Sequence, residues 1–172
     1  MFLTLLNILN IVFKYSINYV NFTNKVNSFL INYLVINSWF YSTILFIKYN
    51  SFFYKTMLID INSFDFLKNI QINSKKSLNI NILIYSFYLF YYNIKLNFIV
   101  FFSKNMPVST ISNLFISALW VERELSEMFG YNFLNKIDSR NLLLDYSYIG
   151  HPLLKSFPVV GNIEIYYNFL KN

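Results

Sequence analysis

The chain has no cysteine. Disulfides, thiol nucleophiles and cysteine-ligated zinc or iron–sulfur centres are thereby excluded. It has a single histidine, His151, which cannot build a histidine-based metal site alone. Charge is also thin. Asp, Glu, Lys and Arg make up 13% of the residues, about half the usual share. Such a surface is poorly solvated and points to burial against a partner or a membrane. The net charge is +6. The lysines are scattered singly apart from Lys75-Lys76, and no basic run follows a helix face, so nucleic-acid binding is not expected.

Glycine, proline, alanine and arginine are scarcer still, and they are not spread evenly. Gly130, Gly150 and Gly161, together with Pro152, Pro158 and both arginines (Arg123, Arg140), fall between Trp120 and Gly161. Pro107 and the only alanine, Ala118, sit just upstream. These residues have GC-rich codons, while the remainder is dominated by Phe, Tyr, Ile, Asn and Lys, whose codons are AT-rich. An AT-rich genome, such as an organelle's, accounts for the bias. Glycine survives where positive φ is needed, proline where φ must be fixed, and arginine where a forked guanidinium is needed. The stretch from Trp120 to Gly161 is therefore where specific geometry is concentrated.

What is abundant is apolar material: 56% of the 172 residues, with aromatics at 22%. That suffices for one core with an extension. Met1 to Phe13 is apolar and uncharged, with Lys14 behind it. Neither a secretory signal nor an Arg-rich presequence has that order, which fits synthesis inside an organelle. Val26 to Ile47 and Ser77 to Ile94 carry no charge, and the first is long enough to cross a bilayer. Both are peppered with Asn, Ser and Tyr, so neither is read as a membrane span.

In order, Phe2 to Val20 reads as a helix, with Leu5, Ile8, Ile11, Val12 and Tyr15 at helical steps. Phe29 to Ile36 reads as a strand, and Asn37-Ser38 as the cap of a helix to about Lys48. Met57 to Ile61 reads as a strand and Asn69 to Ser77 as a turn. Leu78 to Phe90 and Ile94 to Phe102 form a hairpin about Tyr92-Asn93. Pro107 to Phe129 reads as one helix, capped by Ser109 or Thr110 and closed by Gly130. Its apolar stripe includes Ile111, Phe115, Ala118, Leu125 and Phe129, while Ser112, Asn113, Arg123 and Glu127 lie on the opposite face. Beyond Gly130, Asp138 or Ser139 caps one helical turn through Leu144, and Ile163 to Tyr167 is a last short strand. The fold class is α+β: a small sheet with flanking helices over 1–130, then an extended C-terminal arm over 131–172. The arm's Tyr146, Tyr148, Ile149, Leu153, Leu154 and Phe157 cannot all bury against themselves and call for another surface.

Glu122, Arg123, Glu124 and Glu127 are the one dense charge cluster. Glu122 and Glu124 diverge by about 200° on a helix, and no second histidine or Asp pair supplies further ligands, so neither catalysis nor a metal is expected. Acids in the last turns of a helix oppose its dipole. The cluster should therefore be satisfied from outside, by Lys136, Arg140 or Lys155 folding back, or by a basic partner. His151, between Gly150 and Pro152, is a turn residue hydrogen-bonded to backbone. Asp138 and Asp145 are a cap and a turn residue. The three glycines are too far apart for a phosphate loop.

Trp120 to Gly130 (WVERELSEMFG) resembles the W-x-E-R-E-x-x-D-x-F-G signature of the 30 kDa-class subunit of respiratory complex I. Asp145 to Pro158 (DYSYIGHPLLKSFP) resembles the family's D-Y-G-F-x-G-H-P-L-R-K-D-F-P, and Gly161 to Tyr167 its G-x-x-E-V-x-Y. The match is close over about Pro107 to Tyr167 and faint but collinear upstream. Departures are Lys136-Ile-Asp-Ser-Arg-Asn141 in place of H-P-D-L-R-R, and Ser147, Leu154 and Ser156 in place of Gly, Arg and Asp. The resemblance implies a scaffold of the hydrophilic arm of mitochondrial NADH:ubiquinone oxidoreductase, peripheral on the matrix side of the inner membrane. It implies no catalytic residue, metal or cofactor on this chain, with FMN and iron–sulfur clusters on partner subunits. The partners are the quinone-site and cluster-bearing subunits. Gly130, Gly150 and Pro152 would set the arm's path. Glu122, Arg123, Glu124, Glu127, Arg140 and Lys155 would anchor it, within a motif completed by Trp120, Asp145, His151, Phe157 and Pro158. The competing expectation is a membrane-associated or ribosomal structural protein of an AT-rich organelle.

Overall fold

The computed structural model of the chain describes residues 22–25, 28–53, 55–66, 80–103, 106–161 and 166–169. The helix expected over Phe2 to Val20 and the turn over Asn69 to Ser77 lie outside them, as does most of the strand expected at Ile163 to Tyr167. Among the described residues the chain forms β1 (Phe22–Lys25), β2 (Ser28–Ile36), α1 (Asn37–Tyr49), a 3-10 turn (Ser51–Phe53), β3 (Thr56–Phe66), β4 (Ile80–Leu89), β5 (Ile94–Ser103), β6 (Val108–Ser109), α2 (Ala118–Phe129) and β7 (Phe133–Leu134). The five long strands make one sheet in the order β1-β2-β5-β4-β3, and β6 pairs with β7 separately. Strand β2 runs parallel to β5, and the other pairings in the large sheet are antiparallel. This is the expected α+β architecture.

Alternation sets the core. The hairpin register places Leu96 opposite Phe87, Phe98 opposite Tyr85 and Val100 opposite Leu83, all buried. Strand β2 adds Tyr33 and Val35 to the same face, beside Phe98 and Val100. Helix α1 covers it with Phe40, Ile44 and Ile47, one helical stripe; the Phe40 ring lies 4.3 Å from that of Tyr85. Phe115 meets Phe87 at 5.2 Å on the same side. The described residues of the two uncharged stretches are thus spent mainly on strands and a helix of this core. Among the described residues no helix is long and apolar enough to cross a membrane.

Three local expectations are corrected. Helix α1 begins after Ile36 without a side-chain cap; Asn37 instead donates to the Pro107 carbonyl at 3.1 Å. Strand β3 is longer than Met57 to Ile61, because a bulge between Leu58 and Asp60 resets the pleat and carries the strand on to Phe66. The helix expected from Pro107 starts only at Ala118. Its first turns are pulled out into β6, where Val108 N–H donates to Asn132 O and Thr110 N–H to Leu134 O. Ile111 then accepts from both Leu114 and Phe115 in a tight turn. Turn spacing here mimics helix spacing, so Ile111, Phe115 and Ala118 are buried as a helical stripe would be.

Candidate functional site

Helix α2 is the post around which the segment that follows it is wound, through contacts from 136–153. Its N-terminus has no side-chain cap. Ser109 and Thr110 do not cap it; instead Glu122, fully buried, reaches back. Its carboxylate accepts the Thr110 hydroxyl and the Ile111 N–H, the latter at 2.8 Å. Thr110 in turn shares a 2.9 Å bond with Ser112. Burial raises the Glu122 pKa; the Thr110 and Ile111 bonds and the Lys136 charge act against it, and the net position stays above the ordinary value. The face opposite the apolar stripe is therefore largely inward too: Ser112, Arg123 and Glu127 are also buried.

Arg123 and Glu127 hold the loop that crosses the helix. The Arg123 guanidinium donates to the Arg140 and Asn141 carbonyls at 2.9 and 3.1 Å. It also lies 3.5 Å from Asp138 and 5.1 Å from the ring centre of the half-exposed Trp120. The Glu127 carboxylate accepts the N–H groups of Leu142, Leu143 and Leu144. Burial raises the Glu127 pKa, but those three donors and the Arg123 charge outweigh it and hold the carboxyl below its usual value. The helical turn expected through Leu144 is absent: 142–144 are bends, because Glu127 takes the donors that a helix would turn inward. Asp138 accepts the Arg140 N–H and is gripped by the Arg140 guanidinium, which pushes its pKa down. Of the three cations expected to fold back, Lys136 does so, donating to Ser126 Oγ at 2.7 Å and the Glu122 carbonyl at 3.2 Å. Arg140 pairs with Asp138 instead. Lys155 contributes its backbone N–H to Asp65 at 3.0 Å. Glu124 points outward and is exposed.

The helix end is closed by the arm. Gly130 caps it in the left-handed region (φ 74°), its N–H on Ser126 O. The terminal carbonyls of Glu127 and Met128 are taken by His151 Nδ1 at 2.7 Å and Leu153 N–H at 3.1 Å. A carbonyl only accepts, so Nδ1 carries the proton. His151 is thus the backbone-bonded turn residue that was expected. Gly150 (φ 125°) lets the Phe157 ring approach: a β-carbon there would meet it at 2.9 Å. Leu154 is buried and Phe157 and Pro152 are half-buried, whereas Asp145 and Pro158 are exposed in turns. Asp65 and the 2.6 Å Ser63–Tyr131 bond were missed by the sequence reading. The signal was an acid at an inward position of a strand longer than the one expected.

Between the C-terminal half of α2, β7 and the arm lies a cavity of about 430 Å³, bordered by Ser126, Glu127, Tyr131, Lys136, Tyr148 and His151 among others. Among the described residues no group of three or more His, Asp or Glu side chains could hold a metal ion. The polar side chains that unite this site are bonded mainly to backbone groups of the crossing segments. Chemically the arrangement is a clamp.

The family model of the respiratory-chain NADH dehydrogenase 30 kDa subunit matches residues 37–162. The chain is 45% identical over 91 residues to NADH-ubiquinone oxidoreductase subunit 9 of Paramecium primaurelia, covering 52% of this chain and 43% of that protein. It is 40% identical over 86 residues to the subunit 9 of Dictyostelium discoideum, covering 50% and 41%. It is 48% identical over 61 residues to NADH dehydrogenase [ubiquinone] iron-sulfur protein 3 of Arabidopsis thaliana, covering 36% and 32%. The matched stretches span less than half the length of these relatives. The fold is similar to a chain in the archaeal membrane-bound sulfane sulfur reductase, with a TM-score of 0.57 at 11% identity over 85% of this chain and 76% of that one.

Proposed function

The chain belongs to the family of respiratory-chain NADH dehydrogenase 30 kDa subunits, and on that premise we propose that it is a non-catalytic structural subunit of the hydrophilic arm of mitochondrial complex I. It holds cluster-bearing and quinone-site subunits together on the matrix side of the inner membrane, and so supports electron transfer from NADH to ubiquinone. FMN and the iron–sulfur clusters sit on those partners, since a chain without cysteine offers a cluster no thiolate.

The observation that carries this reading is the contrast within the arm. Its backbone is pinned to α2 by Arg123, Glu127 and His151, yet several of its apolar side chains face outward. Ile149 is 89% exposed, Tyr146 77% and Val160 82%. A pinned arm displaying apolar groups suits a protein interface, whose centre is apolar and aromatic. The test is a native separation of detergent-solubilised organelle membranes with mass spectrometry of each slice. Co-migration with flavin- and cluster-bearing NADH dehydrogenase subunits is expected. Migration with ribosomal proteins, or alone in small lipid–detergent particles, would overturn it.

A further inference from the structure

Lys136 is held by neutral acceptors. Its Nζ donates to Ser126 Oγ at 2.7 Å and to the Glu122 carbonyl at 3.2 Å, both on α2. Among the described residues no carboxylate lies within ion-pairing distance of it. An ammonium has three protons to donate, and a neutral amine has two. Two acceptors are therefore fully served by the neutral amine, whose lone pair takes the remaining direction. Losing the proton costs Lys136 neither bond. The surroundings push the same way. Burial, the largest effect, lowers its pKa; Glu122 raises it, Arg123 lowers it, and Asp138 and Glu127 raise it, with the net below the ordinary 10.5. The Phe133 ring favours the cation, but its centre is 5.8 Å away. Both ends of the Lys136–Ser126 bond border the cavity of about 430 Å³, and Lys136 is only half-buried.

We propose that Lys136 is a modification site, an amine that takes an acyl group from a thioester whose acyl end enters this cavity. A partly desolvated lysine is an activated nucleophile. The amine nitrogen adds to the acyl carbon, the carbon–sulfur bond breaks, the thiolate leaves and the amine proton passes to solvent. No electrons change hands and no metal is needed. Imine formation with an aldehyde fits less well, because expelling water needs a proton donor. Glu127, the carboxylate in the same wall, is held ionised by three backbone N–H groups. Acylation leaves one N–H for two acceptors, so it breaks one of the two bonds by which Lys136 holds α2. The proposal does not depend on which assembly the arm joins.

Incubation of the full-length chain with S-acetyl-N-acetylcysteamine, followed by peptide mass spectrometry of every lysine, tests this. Lys136 should gain its acetyl group before the exposed Lys48 does. Its rate should level off at a lower pH than that of a lysine-containing reference peptide. In urea beyond the unfolding midpoint the preference should vanish. Lys136→Arg should lose the fast adduct and keep the slow ones. Acetylation of Lys136 no faster than of Lys48 would overturn the proposal. So would a preference that survives in urea, or a rate that levels off where the peptide's does.

Discussion

His151 lies so close over Gly130 that the α-carbon between helix and arm admits no side chain. A β-carbon on Gly130 would stand 2.5 Å from His151 Nε2. The same imidazole is tied through Nδ1 to the Glu127 carbonyl, so it cannot swing away without uncapping the helix.

Gly130→Ala therefore meets two costs. The left-handed φ of 74° disfavours alanine by roughly 1–2 kcal/mol, and the methyl group displaces the ring. Urea denaturation should show a loss of about 3 kcal/mol in all. In a His151→Ala background the same substitution should cost only the backbone share. A cycle with no coupling between the two sites would disprove the packing argument.

The glycine cap was legible because positive φ leaves few alternatives to glycine. The sheet was legible because alternation survives codon bias: Leu83, Tyr85 and Phe87 face Val100, Phe98 and Leu96 whichever apolar residue fills each place. The false helix from Pro107 shows the limit. Ile111, Phe115 and Ala118 repeat at helical spacing, yet the Asn132 and Leu134 carbonyls and the Glu122 carboxylate claim the N–H groups of Val108, Thr110 and Ile111. Those partners are 11 or more residues away along the chain, so no local pattern records them. The cluster at Glu122 to Glu127 was expected to be satisfied by cations folding back, and Lys136 does fold back. The two buried carboxylates are nevertheless met chiefly by backbone N–H groups of the crossing segments, which no charge pattern records.

Arg123 tests whether the clamp positions or reacts. Its fork spans two carbonyls, which a lysine ammonium cannot reproduce. Arg123→Ala should cost about 3 kcal/mol, and Arg123→Lys about 2. Blue-native gels should show less assembled complex, with turnover per assembled complex unchanged. Normal assembly with lost turnover would point to a chemical role instead.

The exposed side chains of the arm make the opposite prediction. Ile149→Ser and Val160→Ser remove groups that touch little of their own chain, so the isolated protein should keep its stability to within about 0.5 kcal/mol. Assembly should nevertheless fall, most in the double variant. Unaltered incorporation of that variant would leave the arm without an interface.

Glu122 and Glu127 lie on one helix, are both buried, and should respond unequally to loss of charge. Glu122 faces a hydroxyl, which can donate or accept. In Glu122→Gln the amide NH2 donates to Thr110 Oγ1 while the amide oxygen keeps the Ile111 N–H, so the cost should be under about 1 kcal/mol. Glu127 faces three backbone N–H groups, which can only donate. Glu127→Gln turns an NH2 toward them and should cost about 3 kcal/mol. The pH dependence follows the same division. Glu127 has a depressed pKa when folded, so its contribution is full above the ordinary value of 4.5 and drains as pH falls through the depressed one. Glu122 has a raised pKa, so its contribution is full below 4.5 and is lost as pH rises past the raised value. Urea midpoints on either side of that pH should therefore flatten on the neutral side in Glu122→Gln and on the acid side in Glu127→Gln. If both variants lose the same branch, the two carboxylates are not held as their hydrogen bonds indicate.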